Sequence, residues 1–168
     1  IFQTTPEEEL LTANSALLDI LGYDSFEALR DRASGMPATV YVHPEDRAEL
    51  LRLLREQGQV FGFETQFRRR DDRVIWVSLS ARLVRDELTQ RVFIEGFLSD
   101  VTQRTAADEE MRRLNRELRA ISSCNQTLIL AENEQALLDA ICRIVSDEAG
   151  YALAWVGYVE ADEACTVR

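Results

Sequence analysis

The chain has 168 residues, 46% of them hydrophobic, and a formal net charge of −11. This hydrophobic share is enough to build a core, which excludes a disordered chain. The acidic balance excludes nucleic acid as a main partner, because phosphate binding needs a basic face. No apolar run approaches the ~18 residues of a transmembrane helix, so the sequence predicts no membrane segment.

The residue types available for catalysis are few. All 19 basic residues are arginine, which excludes lysine nucleophiles and Schiff-base lysines. His43 is the single histidine, with no serine motif around it, so no catalytic triad can form. The carboxylate runs at 7–9 and 71–72 have no histidine partner and are interpreted as solvated turns. We therefore predict no catalytic residue, no metal site and no enzyme activity in this chain.

The three cysteines lie far apart and form no CxxC motif. Their number is odd, which does not favour a disulfide framework. Reduced thiols at Cys124, Cys142 and Cys165 are typical of a cytoplasmic protein, and we predict that location.

The first elements in chain order are short. Residues 1–5 and 10–13 have the texture of strands, and Asn14 is a good N-cap for a helix that Gly22 ends. Asp24, with Glu27 three residues later, predicts a capping box for a second short helix. A longer helix is predicted from Pro44 to a stop at Gly58.

The pattern then changes to period two. Apolar residues alternate over 61–67, again over 74–84, and a last strand is predicted at 91–98. Together with the two early strands, these segments predict an α+β fold: a five-stranded antiparallel sheet with helices on one face.

Residues 100–128 read as one long helix without Gly or Pro. Its apolar positions follow a 4-3-4-3 spacing, the a/d seam of a heptad repeat. The pattern favours a parallel homodimeric coiled coil, and an amphipathic helix packed on its own domain is the alternative. An Asn at an a position would specify register. The predicted dimer seam consists of Ala107, Met111, Leu114, Leu118, Ile121, Asn125 and Leu128.

A second module begins after the long helix. Asn133 is a predicted N-cap for an amphipathic helix, and residues 151–158 are predicted to form a strand. One helix and little more than one strand cannot bury a core, so this segment needs more chain or a partner. Both ends of the sequence look cut, and we expect it to be a piece of a longer protein.

Four stretches together resemble a PAS domain with its C-terminal PAC segment. They are IFQTTPEEELLTANSALLDILGY, YVHPEDRAELLRLL, FETQFRRRDDRVIWVSLSARLV and FIEGFLSDVTQR. Asp100-Val101-Thr102 in the last stretch matches the family's motif where the final strand passes into an output helix. Residues 134–168, which include ICRIVSDEAGYALAWVGYVE, resemble the start of a GAF domain.

The resemblance implies three segments: a PAS/PAC domain at 1–102, a coiled-coil signalling linker at 103–132 and a truncated GAF start at 133–168. This order is similar to that of bacterial sensor kinases of two-component systems and of cyclic-di-GMP signalling proteins. The parent protein would then carry a kinase, cyclase or phosphodiesterase output domain. The resemblance also implies that Asp100, Val101 and Thr102 couple the sheet to the helix that follows it.

The chain departs from the family at its hairpin turns, where PAS sequences usually have Gly. It has Glu8, Asp72 and residues 88–90 instead. A two-residue turn without Gly costs up to about 1–2 kcal/mol per left-handed residue, so we predict longer turns here.

No cofactor is predicted. His43 precedes the helix predicted from Pro44, whereas the haem ligand of haem-binding relatives lies inside the corresponding helix. We therefore interpret His43 as a capping or structural residue. All cysteines lie beyond the PAS-like module, which excludes covalent flavin chemistry there. Phe63, Trp76 and Phe97 are candidate pocket residues for a small-molecule ligand that the sequence does not identify, or they are plain core.

Two functions follow. One is a sensory module that relays a ligand or conformational input from the sheet, through a dimeric coiled coil, to an output domain. The other is a passive dimerisation and spacer element that senses nothing. A sizeable pocket would favour the first, and a solid core the second.

Overall fold

A computed structural model describes residues 1–6, 9–33, 40–87 and 90–157, without the side chains of residues 32 and 33. The chain divides into two compact units, Ile1–Thr105 and Ala106–Arg168. Each is described by itself.

The first unit contains a sheet and three helices. In chain order its elements are β1 (Phe2–Thr4), β2 (Leu10–Ala13), α1 (Ser15–Leu21), α2 (Phe26–Ala33), α3 (Pro44–Gln57), β3 (Gln59–Arg68), β4 (Val74–Arg85) and β5 (Val92–Asp100). The sheet order is β2-β1-β5-β4-β3, and every neighbouring pair is antiparallel. The predicted five-stranded antiparallel sheet is confirmed.

The core lies on one face of this sheet. On β4 the alternate residues Ile75, Val77, Leu79 and Ala81 are buried, as period two predicts. The buried side chains of the helices pack against them, among them Leu29, Leu50 and Leu54, each no more than 1% exposed. The amphipathic pattern of each element therefore places its apolar face in one shared layer.

The helix ends show where local sequence rules succeed. The Asn14 side chain accepts a hydrogen bond from the Leu17 amide at 3.1 Å, and Gly22 closes α1 with a φ of 78°. Gly58 closes α3 with a φ of 74°. The first residue of α3 is Pro44, and the His43 side chain makes no capping hydrogen bond.

The cap predicted at Asp24 is wrong. The Ser25 hydroxyl accepts the hydrogen bond from the Ala28 amide at 3.2 Å, and α2 begins one residue later than the capping box requires. The Asp24 carboxylate instead pairs with the guanidinium of Arg70. The local sequence assigns the Asp24 carboxylate to the start of α2, but a long-range ion pair with Arg70 holds it instead.

The turns that lack Gly are longer than two residues, as predicted. Residues 69–73 join β3 to β4, and 86–91 join β4 to β5. Asp72 and Gln90 take left-handed backbone with φ of 63° and 58°. Glu8, Leu88 and Thr89 lie outside the described residues.

The second unit contains most of α4 (Thr102–Leu130) and α5 (Glu134–Asp147). The Asn133 side chain caps α5 by accepting from the Ala136 amide at 2.9 Å, as predicted. The strand predicted at 151–158 is wrong over residues 151–157, which form no strand. An isolated strand has no partner for its backbone hydrogen bonds, and the described residues supply none.

Candidate functional site: the junction of β5 and α4

The junction is the place where the last strand of the sheet becomes the long helix. β5 runs to Asp100, two residues beyond the predicted end, and pairs there with Val77 of β4. α4 begins at Thr102, so Val101 alone separates strand from helix. A change in the position of β5 must therefore reach the start of α4 through one residue.

Two side chains hold this junction. The Thr102 amide donates to Oδ1 of Asp100 at 2.9 Å, which satisfies one of the free N–H groups of the first helical turn. The Thr102 hydroxyl accepts from the Trp76 amide at 2.9 Å. The Val101 amide donates to the Trp76 carbonyl, also at 2.9 Å.

Both backbone groups of Trp76 are thus bonded to the junction. The hydrogen bonding between β4 and the chain of β5 continues past the end of the strand, with a threonine hydroxyl in place of a backbone carbonyl. Removing a hydrogen-bond partner from a buried N–H costs about 1–3 kcal/mol. The start of α4 is therefore attached to the sheet by specific bonds, and sequence reasoning named the residues that make them. Their coupling role stays a prediction.

An interior cavity of about 50 Å³ lies between the sheet and the helices. The Thr4 side chain lines it, and its hydroxyl is buried without a hydrogen-bond partner among the described residues. A water molecule occupies roughly 30 Å³ of liquid, so the space suits water, whereas ligand pockets measure about 300–1,000 Å³. The lining residues are Phe2, Thr4, Leu10, Leu17, Leu21, Val40, Tyr41, Arg47, Phe67, Leu79 and Leu98.

The three predicted pocket aromatics do not meet at this cavity. Phe63 packs against the core, whereas Phe97 is 53% exposed and pairs with Ser80 across the sheet. Trp76 lies four residues from Ser80 on β4, and its neighbours Ile75 and Val77 take the core face. Sequence reasoning missed Thr4, because its place on the core face depends on its pairing with Ile94, 90 residues away.

The predicted dimer seam lies on one exposed side of α4. All seven seam residues are exposed in the single chain, with Leu118 at 63%. A different side of the helix contacts α5, where the Ser123 hydroxyl donates to the Glu148 carboxylate at 2.6 Å. The contact with α5 therefore leaves the seam open, and pairing with a second chain stays a prediction.

Within the described ranges, no cluster of three or more His, Cys, Asp or Glu side chains could hold a metal ion. His43 lies at the start of α3, with its Nδ1 atom 3.7 Å from a Glu45 carboxylate oxygen. In the same ranges, no helix is both long and apolar enough to cross a bilayer.

Comparison with protein families matches residues 10–98, more than half of the chain, to the family described as PAS fold. The chain belongs to the PAS-fold family. The match covers α1 to α3, strands β2 to β4 and most of β5, and it ends two residues before Asp100. The GAF resemblance of 134–168 and the linker lie beyond it and stay predictions. No curated protein matches the sequence.

Several solved structures are similar to this chain at low sequence identity. A sensory box histidine kinase/response regulator from Burkholderia thailandensis is 22% identical, with a TM-score of 0.49, covering 70% of this chain and 88% of that one. A PAS domain from Colwellia psychrerythraea is 21% identical, with a TM-score of 0.48, covering 61% and 85%. An RNA-binding light-oxygen-voltage receptor is 21% identical, with a TM-score of 0.52, covering 68% of this chain and 33% of that one.

Proposed function

We propose that this chain is a sensory module that relays a ligand or conformational input from its PAS sheet, through a dimeric coiled coil, to a downstream output domain. We assign it no catalytic step and a cytoplasmic location. The observation that carries the proposal is the junction, where Asp100 and Thr102 bond the start of α4 to β4 and β5.

The junction supports a relay because it couples three elements at once. β5 lines the interior cavity through Leu98, two residues before Asp100. A shift of β5 relative to β4 strains the bonds of Thr102 to Trp76, and the first turn of α4 follows the strand. Small shifts are amplified when the receiving element has two packed arrangements.

The exposed seam of α4 supports the second half of the relay. Met111, Leu118 and Ile121 are each more than half exposed, although they carry the heptad pattern. A parallel partner helix would bury them as knobs in holes, and paired Asn125 side chains would satisfy each other's amides. A rotation of the two helices then carries the signal beyond the PAS unit.

The coupling is tested by a change on one side of the junction and a measurement on the other. Leu98→Val removes one methylene from the cavity wall, at a cost of about 1 kcal/mol. We expect it to change amide hydrogen exchange of α4 beyond Met111 in the wild-type background. In an Asp100→Ala background the same substitution should change α4 exchange less, because the bond from the Thr102 amide to the Asp100 carboxylate is lost.

Asn14→Asp is a matched control for the overall fold, since it keeps a capping side chain on α1. If Leu98→Val changes nothing in α4 of the wild type, or acts equally with and without Asp100, the relay is wrong.

The dimer is tested by its mass. Sedimentation equilibrium should give twice the chain mass, and Leu118→Glu should give a monomer because it places like charges at the centre of the seam. Arg116→Glu, at the outer f position of the heptad, is the control and should leave the dimer intact. A wild-type monomer at high concentration would contradict the mechanism.

One observation favours the passive spacer. The interior cavity of about 50 Å³ is smaller than a ligand pocket, so this core is nearly solid. A spacer still dimerises through α4, but Leu98→Val would not affect its helix. The exchange experiment therefore separates the two functions.

A further inference from the structure

A second and larger cavity opens at the edge of the PAS unit. The C-terminal half of α3 faces the end of β4 and the start of β5, and a cleft of about 640 Å³ lies between them. We call it the rim cleft and define it by Leu51, Leu54, Arg55, Leu83, Phe93 and Ile94.

The rim cleft is separate from the interior cavity. The two share no lining residue. Their sizes also differ by about tenfold, and only the rim cleft falls in the range of roughly 300–1,000 Å³ that is typical of small-molecule sites. Of these two spaces, only the rim cleft can hold a ligand larger than water.

The walls of the cleft are apolar. Leu54 and Ile94 form a floor that is about 1% exposed, and Leu51, Leu83 and Phe93 are half-buried around it. This surface is large enough to shelter a hydrocarbon or aromatic body. Removing such a body from water is favourable in proportion to the apolar area that is covered.

The mouth of the cleft carries positive charge. Arg55 is exposed at the last turn of α3, and among the described residues no carboxylate pairs with it. Arg91 also lines the cleft, with Glu9 as the one carboxylate of the described lining. Since Arg91 has an interaction partner of its own, the positive group at the mouth that can meet a ligand is the Arg55 guanidinium.

The cleft is preformed by backbone hydrogen bonds at both hairpins beside it. The Thr5 amide donates to the Glu9 carbonyl at 2.9 Å, and the Asp86 amide donates to the Arg91 carbonyl at 2.9 Å. These bonds fix Thr5, Glu9, Asp86 and Arg91 beside the mouth, so a ligand would not have to order those four residues. Preorganisation of this kind favours binding.

The geometry points to a binding site for a small carboxylate with an apolar body, such as a medium-chain fatty acid or an aromatic acid. The body would lie against Leu51, Leu83 and Phe93, and the carboxylate would meet the Arg55 guanidinium, whose planar donors suit it in bidentate form. This inference goes beyond the proposed relay, since binding requires neither the dimer nor the junction.

The probe is octanoate, with octan-1-ol as a neutral molecule of the same chain length, titrated calorimetrically into the full chain. We expect saturable binding of one octanoate per chain with a Kd on the order of 1 mM, as befits so small a ligand. Methyl NMR should place the shifts at Leu51, Leu54 and Leu83.

Arg55→Gln should weaken octanoate about tenfold and leave octan-1-ol unchanged, because only the charged contact is lost. Arg52→Gln is the matched control: Arg52 lies on the same helix, but its guanidinium is bonded to Glu49 and Glu56. It should change neither affinity. Val92→Glu, at an exposed position of the cleft wall, should abolish octanoate binding by repulsion while circular dichroism stays unchanged.

Absence of saturable binding would overturn the site. So would shifts at Leu10, Leu17 and Leu79 of the interior cavity, or equal effects of Arg55→Gln and Arg52→Gln. None of these outcomes bears on the relay, which is measured by exchange in α4 without any ligand.

Discussion

The two units of the chain differ in how completely they bury their apolar residues. In the first unit a sheet and three helices enclose side chains such as Leu29 and Leu50, which are no more than 1% exposed. In the described part of the second unit only Ala120 is buried, while Leu118, Ile129 and Trp155 are more than half exposed. The difference shows that a layered α+β arrangement can close its own core, whereas two helices cannot.

Periodicity is clear in both units, yet its consequence differs. On β4 and α3 the apolar face meets another element of the same unit. On α4 the heptad seam stays exposed, because α5 contacts a different side of the helix. An amphipathic pattern thus specifies which face needs cover, and the rest of the chain or a partner decides what covers it.

The largest effect that separates the units is expected from a core leucine. Leu50→Ala should lower the free energy of unfolding of the PAS unit by about 2–5 kcal/mol, because it leaves a cavity under α3. Leu118→Ala, the same substitution on the exposed seam, should leave that transition unchanged. Urea denaturation followed by tryptophan fluorescence measures both, and equal losses would break the comparison.

An intermediate effect is expected at Gly96 of β5. A Cβ there would lie 2.5 Å from the Ser80 carbonyl oxygen and 2.8 Å from the Phe2 ring, closer than such atoms approach. Gly96→Ala should therefore cost about 1–3 kcal/mol, as overpacked cores do. Ser99→Ala, exposed on the same strand, should cost less than about 0.5 kcal/mol in the same denaturation experiment. A tolerated Gly96→Ala would show that the first unit is looser than its burial implies.

The smallest effect is expected from an exposed ion pair on α3. Hydrogen bonding to the Arg52 guanidinium, with a further contribution from its charge, lowers the pKa of Glu49 below its ordinary value. The pair's stabilisation is therefore present above the ordinary glutamate pKa and is lost as pH falls through the lowered one. Carbon NMR should show Glu49 titrating low, and Arg52→Gln should return its midpoint to the usual range. The accompanying change in stability should be slight, because the pair lies at the surface in contact with water.

Prediction from sequence succeeded where the cause was local. The strands with period two formed as expected. So did the caps at Asn14 and Asn133 and the longer turns that contain Asp72 and Gln90. It failed where a distant residue intervened. Arg70 takes the carboxylate of Asp24, so Ser25 caps α2. The strand predicted at 151–158 lacked a partner over the described residues 151–157.

The candidate site divides in the same way. Asp100 and Thr102 were found because they lie in a contiguous motif that resembles the one with which PAS domains pass into a helix. The cavities were not found, because each is lined by residues from strands and helices that meet only after folding. Thr4 and Arg55 carry no sequence signal that distinguishes them from other exposed or strand residues.

The sequence by itself determined the elements, their apolar faces and the stretch that becomes the long helix α4, since propensity, capping and periodicity act over a few residues. Only the tertiary structure decided that β1 lies beside β5, that the interior is nearly solid and that a larger cleft lies at the rim. Those features depend on the order of strands in the sheet and on how side chains from distant segments fill the layer between sheet and helices. Packing between residues that are far apart in the chain leaves no pattern in the local sequence from which it could be predicted.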